Sequence, residues 1–137
     1  MNLAQARLGR WQNGRVTLHF AGAAVDVAVS DLPQAEAFYR IVLGRPPDLR
    51  PRPTQCEWRL WVEPEIVLRL TTQPAHAGHS TAALGVHDLA GERARLLASW
   101  PQLPEISGKP GVIALLPLAD PDGNTVTLWQ DLLGTRP

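Results

Sequence analysis

The stretch AVDVAVSDLPQAEAFYRIVLG, residues 24–44, decides the fold. Val25, Val27 and Val29 alternate with Ala24, Asp26 and Ala28. That period of two predicts a strand with one β-branched face and one small or polar face. Asp31 is a helix cap, Pro33 is tolerated in a first turn, and Gln34 can reach back toward the cap. Leu32, Ala35, Phe38, Tyr39 and Val42 then fall at helical spacing, and Gly44 ends the helix.

Working outward, RPPDLRPRP (residues 45–53) is excluded from helix and reads as an edge strand or loop. Two strand-like runs, 55–62 and 66–71, bend at Glu63-Pro64 and form an expected hairpin. After a loop at 73–80 the pattern restarts. TAALGV (81–86) reads as a strand and Asp88 as a cap. LAGERARLLASW (89–100) reads as a helix that buries Leu89, Leu96, Leu97 and Trp100. Residues 104–119 hold one or two strands broken near Gly108-Pro110-Gly111. Asp120-Pro121-Asp122-Gly123 is a tight turn before a last strand, TVTLW, at 125–129. Upstream, Asn13-Gly14 signals a hairpin, with Val16, Leu18 and Phe20 alternating after it.

The restart is an internal repeat. Val27, Val29, Asp31 and Leu32 match Leu84, Val86, Asp88 and Leu89 at a constant offset of 57 residues. Each half reads as a βαβββ unit, whose single helix covers one face of its sheet. The expected fold is α+β. Paired βαβββ units, residues 23–72 and 80–131, form one open curved barrel with helices outside and a cleft inside. An N-terminal β-hairpin, residues 1–22, precedes them.

Composition narrows the function. The chain has 137 residues, 13 basic and 13 acidic, so its net charge is zero. A neutral chain without a basic cluster is a poor nucleic-acid or anionic-membrane binder. No run approaches the ~18 apolar residues of a membrane span, and no signal peptide is indicated. The one cysteine, Cys56, has no partner for an internal disulfide, and the expected location is cytoplasmic. Cys56 itself reads as a small buried apolar residue and not as a nucleophile.

VAVSDLPQAEAFYRIVLG (27–44) and DPDGNTVTLWQ (120–130) resemble segments of the vicinal-oxygen-chelate superfamily. This group contains glyoxalase I, bleomycin-resistance proteins, fosfomycin-resistance transferases and extradiol dioxygenases. The resemblance covers about residues 24–131. It implies paired βαβββ units in an open, U-shaped barrel, commonly in a homodimer. It also implies, for most enzymes of the group, a divalent metal in the cleft held by His, Glu or Gln. The corresponding positions here are Ala24, Thr81, Thr127 and either Val67 or Arg69. Alanine and valine offer no ligand atom, arginine is a cation, and neutral threonine hydroxyls are weak ligands. No cofactor is therefore expected, and no catalytic residue is assigned. His79, His76 and His19 are the lesser metal candidates, and one divalent ion is the alternative.

The expected cleft floor is small and uncharged: Ala24, Asp26 and Ala28; Thr81, Ala83 and Gly85; Thr125, Thr127 and Trp129. Arg69 is a candidate partner for Asp26 or an anion anchor. Arg59 and Trp61 share one face of their strand, while Cys56, Trp58 and Leu60 share the other, so Trp61 or Trp58 is expected in the cleft. With Trp129 it could clamp a flat ligand by stacking. The expected ligand contacts are Trp129, Trp61, Trp58, Asp26, Arg69, Thr127 and Thr81. Three functions follow. The first is a metal-free protein that sequesters a planar or aromatic natural product, resembling the antibiotic-binding branch. The second is a metal-dependent lyase, isomerase or dioxygenase with displaced ligands. The third is an interaction module. Whether the cleft forms within one chain or across a swapped dimer stays open.

Overall fold

The computed structural model describes residues 17–134. The expected Asn13-Gly14 turn lies outside these residues. Residues 17–21 run in bends without forming the hairpin's second strand, and Leu18 and Phe20 are exposed there.

The chain order is β1 (Gly22–Val29), α1 (Leu32–Leu43), β2 (Leu49–Arg52), β3 (Gln55–Trp61) and β4 (Glu65–Thr72), then a short 3₁₀ turn at Pro74–His76. The second half follows as β5 (Thr81–Gly85), α2 (Leu89–Leu97), β6 (Ser107–Lys109), β7 (Ile113–Ala119) and β8 (Thr125–Asp131). Each half is a four-stranded sheet, ordered β1-β4-β3-β2 and β5-β8-β7-β6. The first strand of each half lies parallel to the last, and the other pairs are antiparallel. The repeat read from the sequence is thus a repeat of topology. Neither sheet closes on itself.

Local chemistry explains the ends of the helices. The Asp31 carboxylate accepts from Gln34 N at 3.1 Å, and Asp88 accepts from Gly91 N at 3.0 Å. Gly44 stops α1 at φ 80°, a left-handed conformation that suits glycine. The last carbonyls of α1 would otherwise lack donors. Arg95, from the opposite half, donates to Ile41 O and Val42 O, both at 2.7 Å. A cation at a helix C-terminus also complements its dipole.

The helix-facing side chains of both sheets form one continuous core. Val27, Val29, Cys56, Trp58, Leu68 and Leu70 join Ala82, Leu116, Leu118, Val126 and Leu128 around Tyr39, Leu89 and Leu96. Phe38 of α1 stacks on Trp100 after α2, with ring centroids 4.9 Å apart. The expected burial of Leu89 and Leu96 holds, while Leu97 and Trp100 are only partly covered.

Polar contacts fix one half against the other. The Asp120 carboxylate accepts from the backbone of Asp122 and of Asn124, both at 2.9 Å, which shapes the DPDGN turn. It also accepts from Tyr39 Oη at 2.9 Å. Burial, reinforced by this carboxylate, pushes the Tyr39 hydroxyl far above its ordinary pKa, so it stays a proton donor. Asn124 is fully buried. Its Nδ2 donates to Ala28 O and to Asp120 Oδ2, both at 2.8 Å. Its Oδ1 accepts from Gly78 N at 3.0 Å and Ser80 N at 2.8 Å. Removing that amide strands several buried groups at once. Asn124→Ala is expected to cost about 3 kcal/mol in urea unfolding; a loss below 1 kcal/mol would show that water replaces the amide.

Candidate functional site

The sheet faces that carry no helix hold most of the expected site residues. On the first sheet the register sets three cross-strand rows: Ala24–Val67–Arg59, Asp26–Arg69–Glu57 and Ala28–Thr71–Gln55. On the second, the rows are Thr81–Thr125–Ala119, Ala83–Thr127–Pro117 and Gly85–Trp129–Leu115. The choice left open between Val67 and Arg69 is settled by this register. Asp26 and Ala83 are equivalent in the repeat, Arg69 pairs with the first and Thr127 with the second. Arg69 is therefore the counterpart of Thr127.

The two faces differ in character. Arg69 Nε lies 2.5 Å from Glu57 Oε2, and its Nη1 lies 3.3 Å from Asp26 Oδ1. The hydrogen bond to Glu57, with a smaller contribution from Asp26, holds the Arg69 guanidinium above its ordinary pKa. The second face has small side chains around Trp129. A Cβ added at Gly85 would come within 2.8 Å of Trp129 Cζ2, so the indole lies over a position that only glycine leaves open.

One cavity among the described residues, about 760 Å³, lies between the halves. Val25, Leu60, Leu84 and Leu128 supply its apolar wall, Trp61 its aromatic one, and Glu92 and Arg95 its charged groups. Its volume is in the usual range for a small-molecule site. A second, about 420 Å³, has Trp129, His87 and Asp131 in its wall. The two share Gly85 and Val86, so Trp61 and Trp129 stand at neighbouring cavities and do not line a common one. A third, about 350 Å³, lies at Phe38, Trp100 and Asp120.

Among the expected ligand contacts, the structure brings Asp26 and Arg69 together and puts Thr81 and Thr127 on one face two positions apart. Of these contacts only Trp61 reaches the cavity of about 760 Å³ between the halves. Trp58 requires correction. It is 1% exposed, packs on Tyr39 and donates from Nε1 to Arg45 O at 2.8 Å. Its position on the helix face of β3 makes it core. Glu57 was missed, although it shares alternation with Arg59 and Trp61. Counting hairpin register back from Glu63-Pro64 puts it opposite Leu70; the irregularity between Arg59 and Trp61 shifts it to Arg69.

No family model and no curated protein matches the chain. Solved structures do. A glyoxalase/bleomycin resistance protein from Catenulispora acidiphila DSM 44928 is 27% identical, covering 78% of this chain and 95% of that one, with TM-score 0.71. The chain belongs to the vicinal-oxygen-chelate superfamily. Two further structures share the fold. Lactoylglutathione lyase from Agrobacterium tumefaciens is 18% identical (84% of this chain, 96% of that one, TM-score 0.66). TnmS3, an antibiotic-binding protein from Streptomyces sp. CB03234, is 22% identical (85% of this chain, 99% of that one, TM-score 0.65).

The superfamily's divalent metal can be tested against the residues that stand at its positions. Ala24, Thr81 and Thr127 give a methyl group and two neutral hydroxyls, and Arg69 gives a paired cation. This set does not fit a divalent ion. His19, His76 and His79 are exposed, with His79 in the loop before β5. Among the described residues no three His, Cys, Asp or Glu side chains gather as a metal site requires.

Two outcomes follow. Cys56 is completely buried, and burial pushes its thiol up to about 11. Ellman's reagent at pH 8 should label it only after denaturant is added; fast labelling of the native protein would contradict the packing. Gly85→Ala should displace the Trp129 indole, shift tryptophan emission and cost about 1–3 kcal/mol. An unchanged spectrum would mean that the indole does not lie on Gly85.

Proposed function

We propose that the chain is a metal-free small-molecule-binding protein of the glyoxalase/bleomycin-resistance family. It sequesters a planar or aromatic natural product, in the manner of antibiotic-resistance proteins. The observation that carries this reading is the donor set at the superfamily's metal positions, which supplies no imidazole, carboxylate or thiolate. Away from those positions, between the two halves, lies a cavity of ligand size with apolar walls, and indoles border it and an adjoining cavity.

The charged groups of the cleft already have partners. Arg95 donates to Glu92 at 2.8 Å as well as to the α1 carbonyls. A neutral, flat guest asks least of such walls, because an ionic one would lose hydration without gaining a counter-ion. The reading includes a homodimer, which would cover some of the exposed apolar surface at Phe20, Trp61 and Val62. It also includes a cytoplasmic location, in keeping with a buried free thiol. Among the described residues no helix is long and apolar enough to cross a membrane.

The test is a tryptophan-fluorescence titration of chelator-treated protein with planar quinone and chromophore-bearing antibiotics. At least one compound should quench saturably, with a dissociation constant on the order of 1 µM. Trp129→Ala or Trp61→Ala should weaken that binding roughly 3- to 10-fold, as expected for loss of an aromatic stack. The reading fails if no compound quenches, if neither variant weakens binding, or if binding needs added metal. Stoichiometric metal retained through purification would favour a metal-dependent lyase, isomerase or dioxygenase.

A further inference from the structure

The row Asp26–Arg69–Glu57 crosses three neighbouring strands in register. Glu57 is its unusual member. Its side chain is only 8% exposed, although it sits on the sheet face that carries no helix. An ionised carboxylate so withdrawn from water needs a cation beside it. Arg69 Nε supplies one at 2.5 Å, while Nη1 of the same guanidinium reaches Asp26 at 3.3 Å. Two carboxylates thus converge on one positive centre. Oxygen ligands of this kind suit a hard divalent ion, but here the cation belongs to a side chain.

We infer that Arg69 is the resident cation of this sheet face. It stands at the superfamily's metal position, excludes a divalent ion by its own charge, and holds Glu57 and Asp26 as a carboxylate pair that would recruit one in its absence. The inference rests on the metal-free reading above and extends it to a cause. The guanidinium is tethered to β4, so a chelator cannot strip it. A divalent ion entering beside it would meet a like charge at close range. Ala24, Thr81 and Thr127 add no negative charge to offset that repulsion.

The experiment is a Mn²⁺ titration read by the electron paramagnetic resonance signal of the free ion, with a thermal melt beside it. Wild-type protein should take up no Mn²⁺ at millimolar concentration. Arg69→Gln should bind about one ion per chain, with a dissociation constant on the order of 10⁻⁴–10⁻³ M, where weak carboxylate sites fall. Adding Glu57→Gln to that variant should abolish the uptake, and Arg69→Lys, which keeps a cation, should show none. Arg69→Gln leaves Glu57 unpaired and should melt lower. Because Mn²⁺ would bind only the folded form, it should raise the melting temperature of this variant and not of the wild type. The inference is overturned if wild type binds Mn²⁺ through Glu57, or if Arg69→Gln neither binds nor is stabilised by it. Quenching of the chelator-treated wild type by planar compounds is read separately. Its absence would sink the binding function and leave the role of Arg69 standing.

Discussion

The buried amide of Asn124 is the contact on which the arrangement of the two halves depends. It ties the start of β5 to the end of β1 through Ser80 N and Ala28 O. It also holds the Asp120 carboxylate, which in turn receives the Tyr39 hydroxyl from α1. Nearby, the Asp122 carboxylate accepts from Ser30 N at 3.0 Å, and Ser80 Oγ accepts from Ala28 N at 3.1 Å. Apart from the local Asn124–Asp120 bond, these bonds join segments far apart in sequence. Hydrophobic burial drives the halves together without direction. Paired buried polar groups restrict them to one registration, because any slip leaves donors unsatisfied in a poorly solvated place.

This arrangement gives the DPDGN segment a structural purpose. Its two aspartates look like an acid pair when read in isolation. In the fold both are hydrogen-bond acceptors within and beside a turn. Arg95 works in the same way from the other side, capping α1 across the interface. The cleft between the halves is bordered by these fixed elements, with Gly44 and Arg95 among its lining residues. The cleft is therefore shaped by contacts that serve stability.

The two halves of the repeat differ in residue type on the sheet faces that carry no helix. At equivalent positions of the two sheets stand Asp26 and Ala83, and Arg69 and Thr127. One half keeps a charge row in which one guanidinium is shared by two carboxylates, and the other keeps small side chains around an indole. Both halves retain their helix caps, parallel outer strands and apolar helix-facing stripes. Packing tolerates little change in those stripes, because each side chain meets neighbours on every side. The sheet faces without a helix are free of that restriction, and their residue types differ between the two halves.

The sequence by itself determined the two βαβββ units, their helices and caps, and the absence of metal donors at the expected positions. Those properties are local: a period of two or 3.6, a capping aspartate, a residue type at a counted position. Only the tertiary structure decided that Trp58 is core, that Glu57 belongs with Arg69, and that Trp61 and Trp129 border separate cavities. Alternation assigns a side chain to a face but does not say whether a helix covers that face. It also leaves unstated which residue stands opposite across a hairpin, since one shifted register moves every partner. The cleft beside Trp61 arises between units 57 residues apart in the repeat. Its shape follows from how they dock, and docking is set by long-range contacts that no local pattern encodes.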